Sequence, residues 1–369
     1  MSSELLPKYS MLTVVAKLAL GEQHSLILDG HGSVWSTTIS LRGSFSFSSI
    51  DKGFVQVFSN GAIAVAAGTD YSLVLKRDGA VWAMGRNYKG QLGDGTKTKK
   101  MSYIFVKMIE GAKDAVAGVR HSMIVTQDGH VWGAGSNLYG QLGHKSSTYN
   151  TRFMVLFSCA VTAVAAGDSH SLVLKQDGSL WTAGRNSHGQ LGLGTMVDSK
   201  VFTEVMSTGV TDMAAGSCHS LVLHQDGSVW ATGWNEYGQL GDASTIDRLR
   251  YGQVVSGGAK AIAAGSRHSM VLKQDGSVWT TGDNSYGQLG CGSTAKLDEF
   301  TRVVLGGVRF VAAGAYHSMV LKDNGGVWAT GSNRYGQYGD GSTNSKRTFV
   351  KILNGAGNGN QMCLIGNRL

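Results

Sequence analysis

A histidine followed directly by a serine recurs along this chain, and these two residue types could supply a general base and a nucleophile. The stretch HSLVLKQDG begins at His170, and near copies begin at His219 and His268. Consecutive residues of a β-strand point to opposite faces, so a His and the Ser that follows it cannot form a catalytic dyad. The motif therefore predicts no catalytic residue. We expect instead that each imidazole donates a hydrogen bond to a backbone group where repeats pack together.

Other residue patterns that could perform chemistry also predict no site. The four cysteines form no C-x-x-C pair, so a zinc site has no support; they are Cys159, Cys218, Cys291 and Cys363. We expect free thiols in a reducing intracellular compartment, the cytoplasm or the nucleus. The stretch GAGNG at Gly355 follows no βαβ unit and begins no helix, so it does not indicate a phosphate loop. Neither a metal, a cofactor nor a membrane partner is predicted.

The His-Ser motif divides the chain into seven repeats. The anchor G-x-x-H-S, which reads GTDYS with Tyr71 in one copy, recurs about every 49 residues. The anchor glycines are Gly21, Gly68, Gly118, Gly167, Gly216, Gly265 and Gly314. A Trp follows each anchor glycine by fourteen residues, from Trp35 to Trp328, and six copies continue into an Asn-x-x-Gly-Gln block. A period near 50 residues indicates a repeat architecture.

Each repeat contains four short apolar stretches separated by turns. In the fourth repeat these are VTAVAAG, HSLVLK, SLWTAG and FTEVM, between Val161 and Met206. Asp-Gly between the second and third stretches favours a hairpin, because Gly accepts a positive φ. Four antiparallel strands per repeat are typical of a propeller blade. The sequence therefore predicts an all-β fold, a seven-bladed β-propeller of four-stranded antiparallel blades, with the repeated Trp residues packed between blades.

The two ends of the chain indicate how the ring closes. A first strand begins at Thr13, and a last strand begins at Thr348. We expect the N-terminal and C-terminal strands to pair within one blade, which would leave no open edge. Residues 1–355 then form a single propeller domain, and residues 356–369 form a C-terminal tail.

Taken together, the motifs AAGxxHSLVL, DGSVWxxGxN and GQLGDG resemble those of the regulator of chromosome condensation repeat family over about residues 11–353. The resemblance implies a seven-bladed β-propeller, as the strand pattern does. The family includes the chromatin-bound exchange factor for the small GTPase Ran, a plant ultraviolet-B photoreceptor, and many adaptor or ubiquitin-ligase domains. The fold therefore does not determine the function. The photoreceptor carries Trp directly after the anchor glycine in several blades, and this chain has other residues there.

Function is expected where the repeats differ. The connections from first to second and from third to fourth strand lie on one face of a blade, and several of them are basic. A lone Trp, Trp234, stands in one such connection outside the repeated Trp series. The candidate partner-binding residues are Arg120, Arg267, Trp234, Tyr316, Lys97, Lys99, Lys100, Arg248, Arg250, Lys346 and Arg347.

The composition favours an acidic partner, because the formal net charge is +8. The sequence therefore predicts a non-enzymatic protein-interaction platform that docks an acidic protein on a basic loop face. It would act as a monomer or as a subunit of a larger assembly. The alternatives are guanine-nucleotide exchange on a small GTPase, and association with chromatin or nucleic acid through backbone charge alone.

Overall fold

Seven four-stranded antiparallel sheets make up the computed structural model, which describes residues 15–37, 53–98, 106–145, 148–158 and 160–354. Within each sheet the four strands lie in chain order. The first strand of each sheet contacts the first strand of the next, and β25 contacts β1, which closes a ring around a central axis. The predicted all-β, seven-bladed propeller is confirmed.

The blades are numbered in chain order. Blade 1 contains β1 (Val15–Leu20), β2 (Ser25–Asp29), β3 (Val34–Ser36) and β4 (Val55–Phe58), and blade 2 contains β5 (Ala62–Ala67), β6 (Tyr71–Lys76), β7 (Val81–Gly85) and β8 (Val106–Ile109). Blade 3 contains β9 (Ala112–Ala117), β10 (His121–Thr126), β11 (Val131–Ser136) and β12 (Tyr149–Phe157), and blade 4 contains β13 (Val161–Ala166), β14 (His170–Lys175), β15 (Leu180–Gly184) and β16 (Ser199–Met206). Blade 5 contains β17 (Val210–Ala215), β18 (His219–His224), β19 (Val229–Gly233) and β20 (Arg248–Val255). Blade 6 contains β21 (Ala259–Ala264), β22 (His268–Lys273), β23 (Val278–Gly282) and β24 (Leu297–Val304), and blade 7 contains β25 (Val308–Ala313), β26 (His317–Lys322), β27 (Val327–Gly331) and β28 (Lys346–Leu353).

The packing of the second strand of each blade explains why the sequence of that strand is continuously apolar. In β14 five consecutive residues are buried, because neighbouring blades cover both faces of the strand. The turn that follows ends at Gly178, whose φ of 80° suits a residue without a Cβ atom. Its N–H bonds the carbonyl of Lys175 at 3.0 Å, which closes the hairpin as predicted.

The terminal strands belong to different blades, so the predicted pairing between them is wrong. Blade 1 is completed by β4, which the divergent first repeat conceals in the sequence, and blade 7 is completed by β28. The ring closes instead through packing of blade 1 against blade 7. Arg309 donates a hydrogen bond to the carbonyl of Val15 at 2.8 Å, and one apolar cluster contains residues of both blades. Residues 356–369, the predicted tail, lie outside the described residues.

The repeated His joins neighbouring blades through a serine hydroxyl. His170 Nε2 lies 2.9 Å from Oγ of Ser220 in the next blade. Ser220 Oγ donates its own proton to the carbonyl of Gln190 at 2.8 Å, so the imidazole must donate from Nε2. The expected backbone partner is therefore wrong for His, because the serine hydroxyl lies between the ring and that carbonyl. Burial lowers the pKa of His170 to about 4, which keeps the ring neutral.

This contact recurs around the ring. The other His-to-Ser pairs are His24–Ser72, His121–Ser171, His219–Ser269, His268–Ser318 and His317–Ser25, at 2.9 to 3.0 Å. At the remaining junction the hydroxyl of Tyr71 donates to the carbonyl of His121 at 2.6 Å, so a backbone partner is found for this one copy. Every junction between blades thus carries a polar link inside an apolar contact.

The anchor glycine makes this close approach possible. A Cβ atom added at Gly216 would lie 2.2 Å from the His219 ring and 2.6 Å from the carbonyl oxygen of Gly265 in the next blade. Any larger residue would therefore force the two blades apart. The repeated Trp residues also pack between blades. Trp230, for example, lies against the cluster that contains Leu172 and Met213 and is only partly buried.

Candidate interaction site on the anchor face

One face of the propeller is formed by the anchor turns and by the connections from third to fourth strands, and we call it the anchor face. The two connections of one blade lie side by side, as predicted: in blade 4 the N–H of Arg185 bonds the carbonyl of Ser169 at 2.8 Å. A shallow cavity of about 440 Å³ opens at the centre of this face. Its lining includes an anchor-turn residue from every blade, together with Trp234, Arg267 and Tyr316.

The centre of the anchor face carries both signs of charge. Asp70 forms an ion pair with Arg86 at 2.7 Å. Burial raises the pKa of Asp168, although Ser217 donates a hydrogen bond to its carboxyl and three arginines face it: Arg120, Arg185 and Arg267. Two of the predicted contact residues, Arg120 and Arg267, therefore lie near one partly buried carboxyl, that of Asp168.

Trp234 and Arg267 meet in a compact aromatic cluster. The Trp234 ring packs edge-on against Tyr237 and at a tilt against His188, with ring centres 5.3 and 5.4 Å apart respectively. The guanidinium of Arg267 lies 5.3 Å from the Trp234 ring and 4.8 Å from the Tyr237 ring. Arg267 also donates a hydrogen bond to the Tyr237 hydroxyl at 3.0 Å. We call Trp234, Tyr237 and Arg267 the aromatic cluster.

The surrounding backbone holds the aromatic cluster in place. The N–H of Trp234 bonds the carbonyl of Cys218 at 2.8 Å. The next residue, Asn235, is fully buried. Its Oδ1 accepts from the Leu240 N–H at 2.9 Å, and its Nδ2 donates to Asp242 at 3.0 Å. The repeated Asn block is therefore a structural element that supports the loop.

Sequence reasoning named Trp234 and Arg267 but missed Tyr237. A tyrosine two residues before the Gln of the repeated block was the available signal, since Tyr139, Tyr237, Tyr286 and Tyr335 all stand there. Arginines lie over two of the others: Arg185 lies 5.1 Å from the Tyr139 ring, and Arg334 lies 5.1 Å from the Tyr286 ring. The predicted residue Tyr316 also packs on Tyr286, with ring centres 5.4 Å apart.

The other predicted residues within the described ranges do not line the axial cavity. Lys97 lies 3.5 Å from the centre of the Tyr149 ring, and Lys99 and Lys100 fall outside the described residues. The other four stand at the start of an outer strand: Arg248 and Arg250 on β20, and Lys346 and Arg347 on β28. Arg248 is paired with Asp242 of its own blade. The outer-strand arginines and lysines of the predicted set do not join the aromatic cluster.

The described residues also limit other kinds of site. They contain no group of three or more His, Cys, Asp or Glu residues that could hold a metal ion. No helix long and apolar enough to cross a membrane occurs in this part of the chain. Cys218 and Cys291 are free thiols, and burial raises the pKa of Cys218 to about 11. Cys159 and Cys363 fall outside the described ranges.

Two solved structures share this fold over most of their length. Human WBSCR16 superimposes with a TM-score of 0.74 at 21% sequence identity, covering 86% of this chain and 90% of the other. Prp20p from Saccharomyces cerevisiae, whose structure was described with its binding properties to Gsp1p and histones, gives a TM-score of 0.75 at 18% identity, covering 96% and 91%. A comparison with curated proteins found no match.

The sequence itself also matches a family model. The model of the RCC1-like domain matches residues 2–243 and 153–364, two overlapping stretches that together span nearly the whole chain. With seven blades built on the G-x-x-H-S anchor, the chain belongs to the RCC1-like domain family.

Proposed function

We propose that this protein is a non-enzymatic interaction platform that docks an acidic partner protein on its anchor face. The observation that carries the proposal is the aromatic cluster, in which one guanidinium lies over two aromatic rings beside the axial cavity. Trp, Tyr and Arg are the residue types that most often dominate binding energy at protein interfaces.

The geometry of the cluster suits a carboxylate on the partner. The Arg267 guanidinium lies 5.3 Å from the Trp234 ring and 4.8 Å from the Tyr237 ring, which reduces its contact with water. A planar guanidinium held in this way binds a carboxylate through two parallel hydrogen bonds. The partner would place an Asp or Glu side chain against Arg267 and an apolar group against Trp234.

The exposed basic residues away from the axial cavity, which we call the basic rim, would attract an acidic partner at longer range. Lys97, Arg250, Lys346 and Arg347 are exposed, and Lys99 and Lys100 continue the Lys97 segment in the sequence. Such rim charges raise association rates and their salt dependence more than they raise affinity. The partly exposed carboxyl of Asp168 on the same face means that the partner need not be uniformly acidic.

The test is quantitative affinity capture of native partners by the wild type and by two anchor-face variants, Trp234→Ala and Arg267→Glu. Matched controls lie on the opposite face: Leu305→Ala, where Leu305 is 79% exposed, and Lys260→Glu, where Lys260 is exposed. We expect one partner to be lost with both anchor-face variants and kept by both controls. Truncation at Trp234 should weaken its binding by about 2 kcal/mol or more. Equal recovery by all five proteins would contradict the proposal.

Guanine-nucleotide exchange on a small GTPase is the second candidate. It is supported by the fold likeness to Prp20p, whose structure was described with binding to Gsp1p. A panel of GTPases loaded with fluorescent GDP distinguishes the two functions. A platform leaves the rate of GDP loss unchanged, whereas an exchange factor accelerates it, and Arg267→Glu would then remove the acceleration.

Association with chromatin through backbone charge is the third candidate. The net charge of +8 favours it, and the same Prp20p structure was described with binding to histones. Retention on nucleosomes and on free DNA would then fall steeply between 50 and 200 mM salt and show no sequence preference, the change being roughly 10³-fold for about six phosphate contacts. Retention that vanishes in Trp234→Ala would instead favour a specific protein contact.

A further inference from the structure

The outer strand of blade 3 differs from its counterparts at one register position. In every blade, the repeated Trp of the third strand pairs with a residue of the fourth strand. That partner is polar or charged in six blades: Gln56, Lys107, Glu204, Gln253, Arg302 and Lys351. In blade 3 the residue opposite Trp132 is Val155, which is 44% exposed.

The surrounding residues extend this apolar edge. From Phe153 to Phe157 the β12 sequence is FMVLF, with no charged side chain. The Met154 Sδ accepts a hydrogen bond from Asn150 Nδ2 of the same strand at 2.8 Å. Met154, beside Val155, is 36% exposed. The corresponding stretches of the other long outer strands are FTEVM, YGQVV, FTRVV and FVKIL, each with a polar or charged residue in the middle.

Backbone groups on the outer side of Phe153–Phe157 are not used in strand pairing among the described residues. Within the described ranges, β12 is the last strand of its sheet, and the strand that it pairs with is β11. Blade 2 covers its beginning, because the N–H of Gly95 bonds the carbonyl of Thr151 at 2.7 Å and Asp94 forms an isolated bridge with Arg152. Among the described residues, no strand pairs with the outer side of Phe153–Phe157.

An uncharged, apolar edge strand invites pairing with another chain, and proteins usually prevent this with charged residues on the edge. The other outer strands of this propeller follow that rule at the Trp-paired register. β12 has Val155 at this register in place of a polar or charged residue. Because the seven blades share one fold, the missing polar residue distinguishes this edge from the other six.

We propose that the Phe153–Phe157 edge of β12 binds an extended segment of a partner protein by strand addition. The partner segment supplies main-chain hydrogen bonds and places apolar side chains against Met154 and Val155. A carboxylate at one end of the segment contacts Arg152, which is exposed and lies beside Gly95. The recognised chemistry is therefore a short uncharged apolar strand flanked by an acidic residue.

A flexible segment fits this edge better than a second copy of the chain. The rim of a propeller is convex, so two copies would touch through one strand edge each and bury far less than the about 1,200 Å² of a stable interface. Two chains that each carry a net charge of +8 also repel one another. An extended segment follows the edge and contacts the side chains on both of its faces.

A library of random twelve-residue peptides, displayed on phage, provides the probe. Selection uses the wild-type protein, with prior depletion on Val155→Lys. This substitution gives blade 3 the residue type found in blades 2 and 7, so the fold is retained. Val201→Lys is the matched control, since Val201 is 42% exposed on the neighbouring outer strand β16. Synthetic versions of enriched peptides are then measured for affinity and for protection of backbone amides from hydrogen exchange.

We expect enriched peptides with alternating β-branched or aromatic residues and an Asp or Glu at one end. They should protect the amides of Phe153–Phe157, bind Val155→Lys at least tenfold more weakly, and bind Val201→Lys as they bind the wild type. Failure to enrich any peptide that distinguishes Val155→Lys overturns the proposal. It is equally overturned if the wild type is a dimer that Val155→Lys converts to a monomer, because the occupant would then be a second copy.

Discussion

The junctions between blades and the loops of the anchor face use the same repeated scaffold in opposite ways. At six junctions a His donates to a Ser of the next blade with nearly the same distance, 2.9 to 3.0 Å. At the position directly after the glycine near the end of the third strand, by contrast, the residue changes among six blades: Arg86, Ser136, Arg185, Trp234, Asp283 and Ser332. The junctions hold the ring together, and the loops give each blade its own surface.

A substitution is therefore expected to affect folding at a junction and binding at a loop. A junction residue contributes to stability, and the six His copies should respond alike because they make the same contact with Ser. An anchor-face or rim residue contributes little to folding, and its effect should appear in binding. Where one copy is apolar at a position that is polar or charged in the other blades, as at Val155, the exception marks a candidate binding surface.

The largest effect we expect is acid destabilisation of the junctions. Burial lowers the pKa of His121, His219 and His317 to about 3 and that of His170 and His268 to about 4. An unfolded His has a pKa near 6.5, so below that pH the unfolded chain takes up protons that the folded chain does not. The free energy of unfolding should be constant above about pH 7 and should fall from pH 6.5 downward, by roughly 1.4 kcal/mol per pH unit for each His.

Urea unfolding followed by Trp fluorescence between pH 5 and pH 8 measures this slope. The partly buried carboxyls of Asp114, Asp168 and Asp212 have pKa values raised by desolvation and act in the opposite direction once they are protonated in the folded state. The variant His170→Gln should remove the contribution of one proton. If His170→Gln had the same dependence on pH as the wild type, His170 would take up protons equally in the folded and unfolded states, which would contradict the prediction.

The second prediction concerns the apolar part of a junction. Leu221 is fully buried between blades 5 and 6, and Leu172 is fully buried between blades 4 and 5. Leu221→Ala and Leu172→Ala should each reduce the free energy of unfolding by about 2–5 kcal/mol, because both leave a cavity that the ring cannot close. Urea unfolding measures both, and an unchanged m-value indicates an unchanged unfolding transition. Costs that differ by more than about 2 kcal/mol would show that the junctions are not equivalent.

The segments that are repeated in every blade were the most predictable from the sequence. The anchor positions, the Trp spacing and the Asp-Gly turns identify seven blades, since each feature is local and is repeated. The partner of His170 was not predictable, because Ser220 lies 50 residues away and only the packing of two blades brings it to the ring. β4 was missed for a related reason: its repeat lacks the Asn block that marks the outer strand in the other copies.

The anchor face was predictable only in part. The position of Arg267 in an anchor turn predicted that it lies near the axis. Trp234 was identified because it is the Trp that stands outside the repeated Trp series. That the two side chains meet over Tyr237 depends on the side-by-side packing of blades 5 and 6, which no local pattern contains. The apolar residue at Val155 was visible in the aligned repeats, but its register opposite Trp132 became clear only from the strand pairing.

The third prediction separates folding from binding at the aromatic cluster. Arg267→Ala removes the stacked guanidinium and its hydrogen bond to Tyr237, but both groups are near the surface. We expect a loss of about 1 kcal/mol in the free energy of unfolding, smaller than the loss for Leu221→Ala. Thermal and urea unfolding measure it. A loss above about 3 kcal/mol would assign Arg267 to the scaffold and weaken its proposed role in docking.

The smallest expected effect tests whether His224, at a position that is Lys in four other blades, has a structural role. Lys175, Lys273 and Lys322 end the second strands of blades 4, 6 and 7, and each lies 4.5 to 5.5 Å from the ring of the repeated Trp. Blade 5 has His224 there, stacked on Trp230 at 5.6 Å.

The buried Nε2 of His224 has no hydrogen-bond partner among the described residues. An unpaired buried polar atom costs free energy, whereas a Lys extends its charged end to water. His224→Lys should therefore leave the free energy of unfolding unchanged or raise it by up to about 1 kcal/mol. The new ammonium would lie near Asp226 of the following turn, as the Lys175 ammonium lies 3.6 Å from Asp177. A loss of stability, measured by urea unfolding at pH 8, would show that the His224 ring makes a contact that the repeat pattern does not predict.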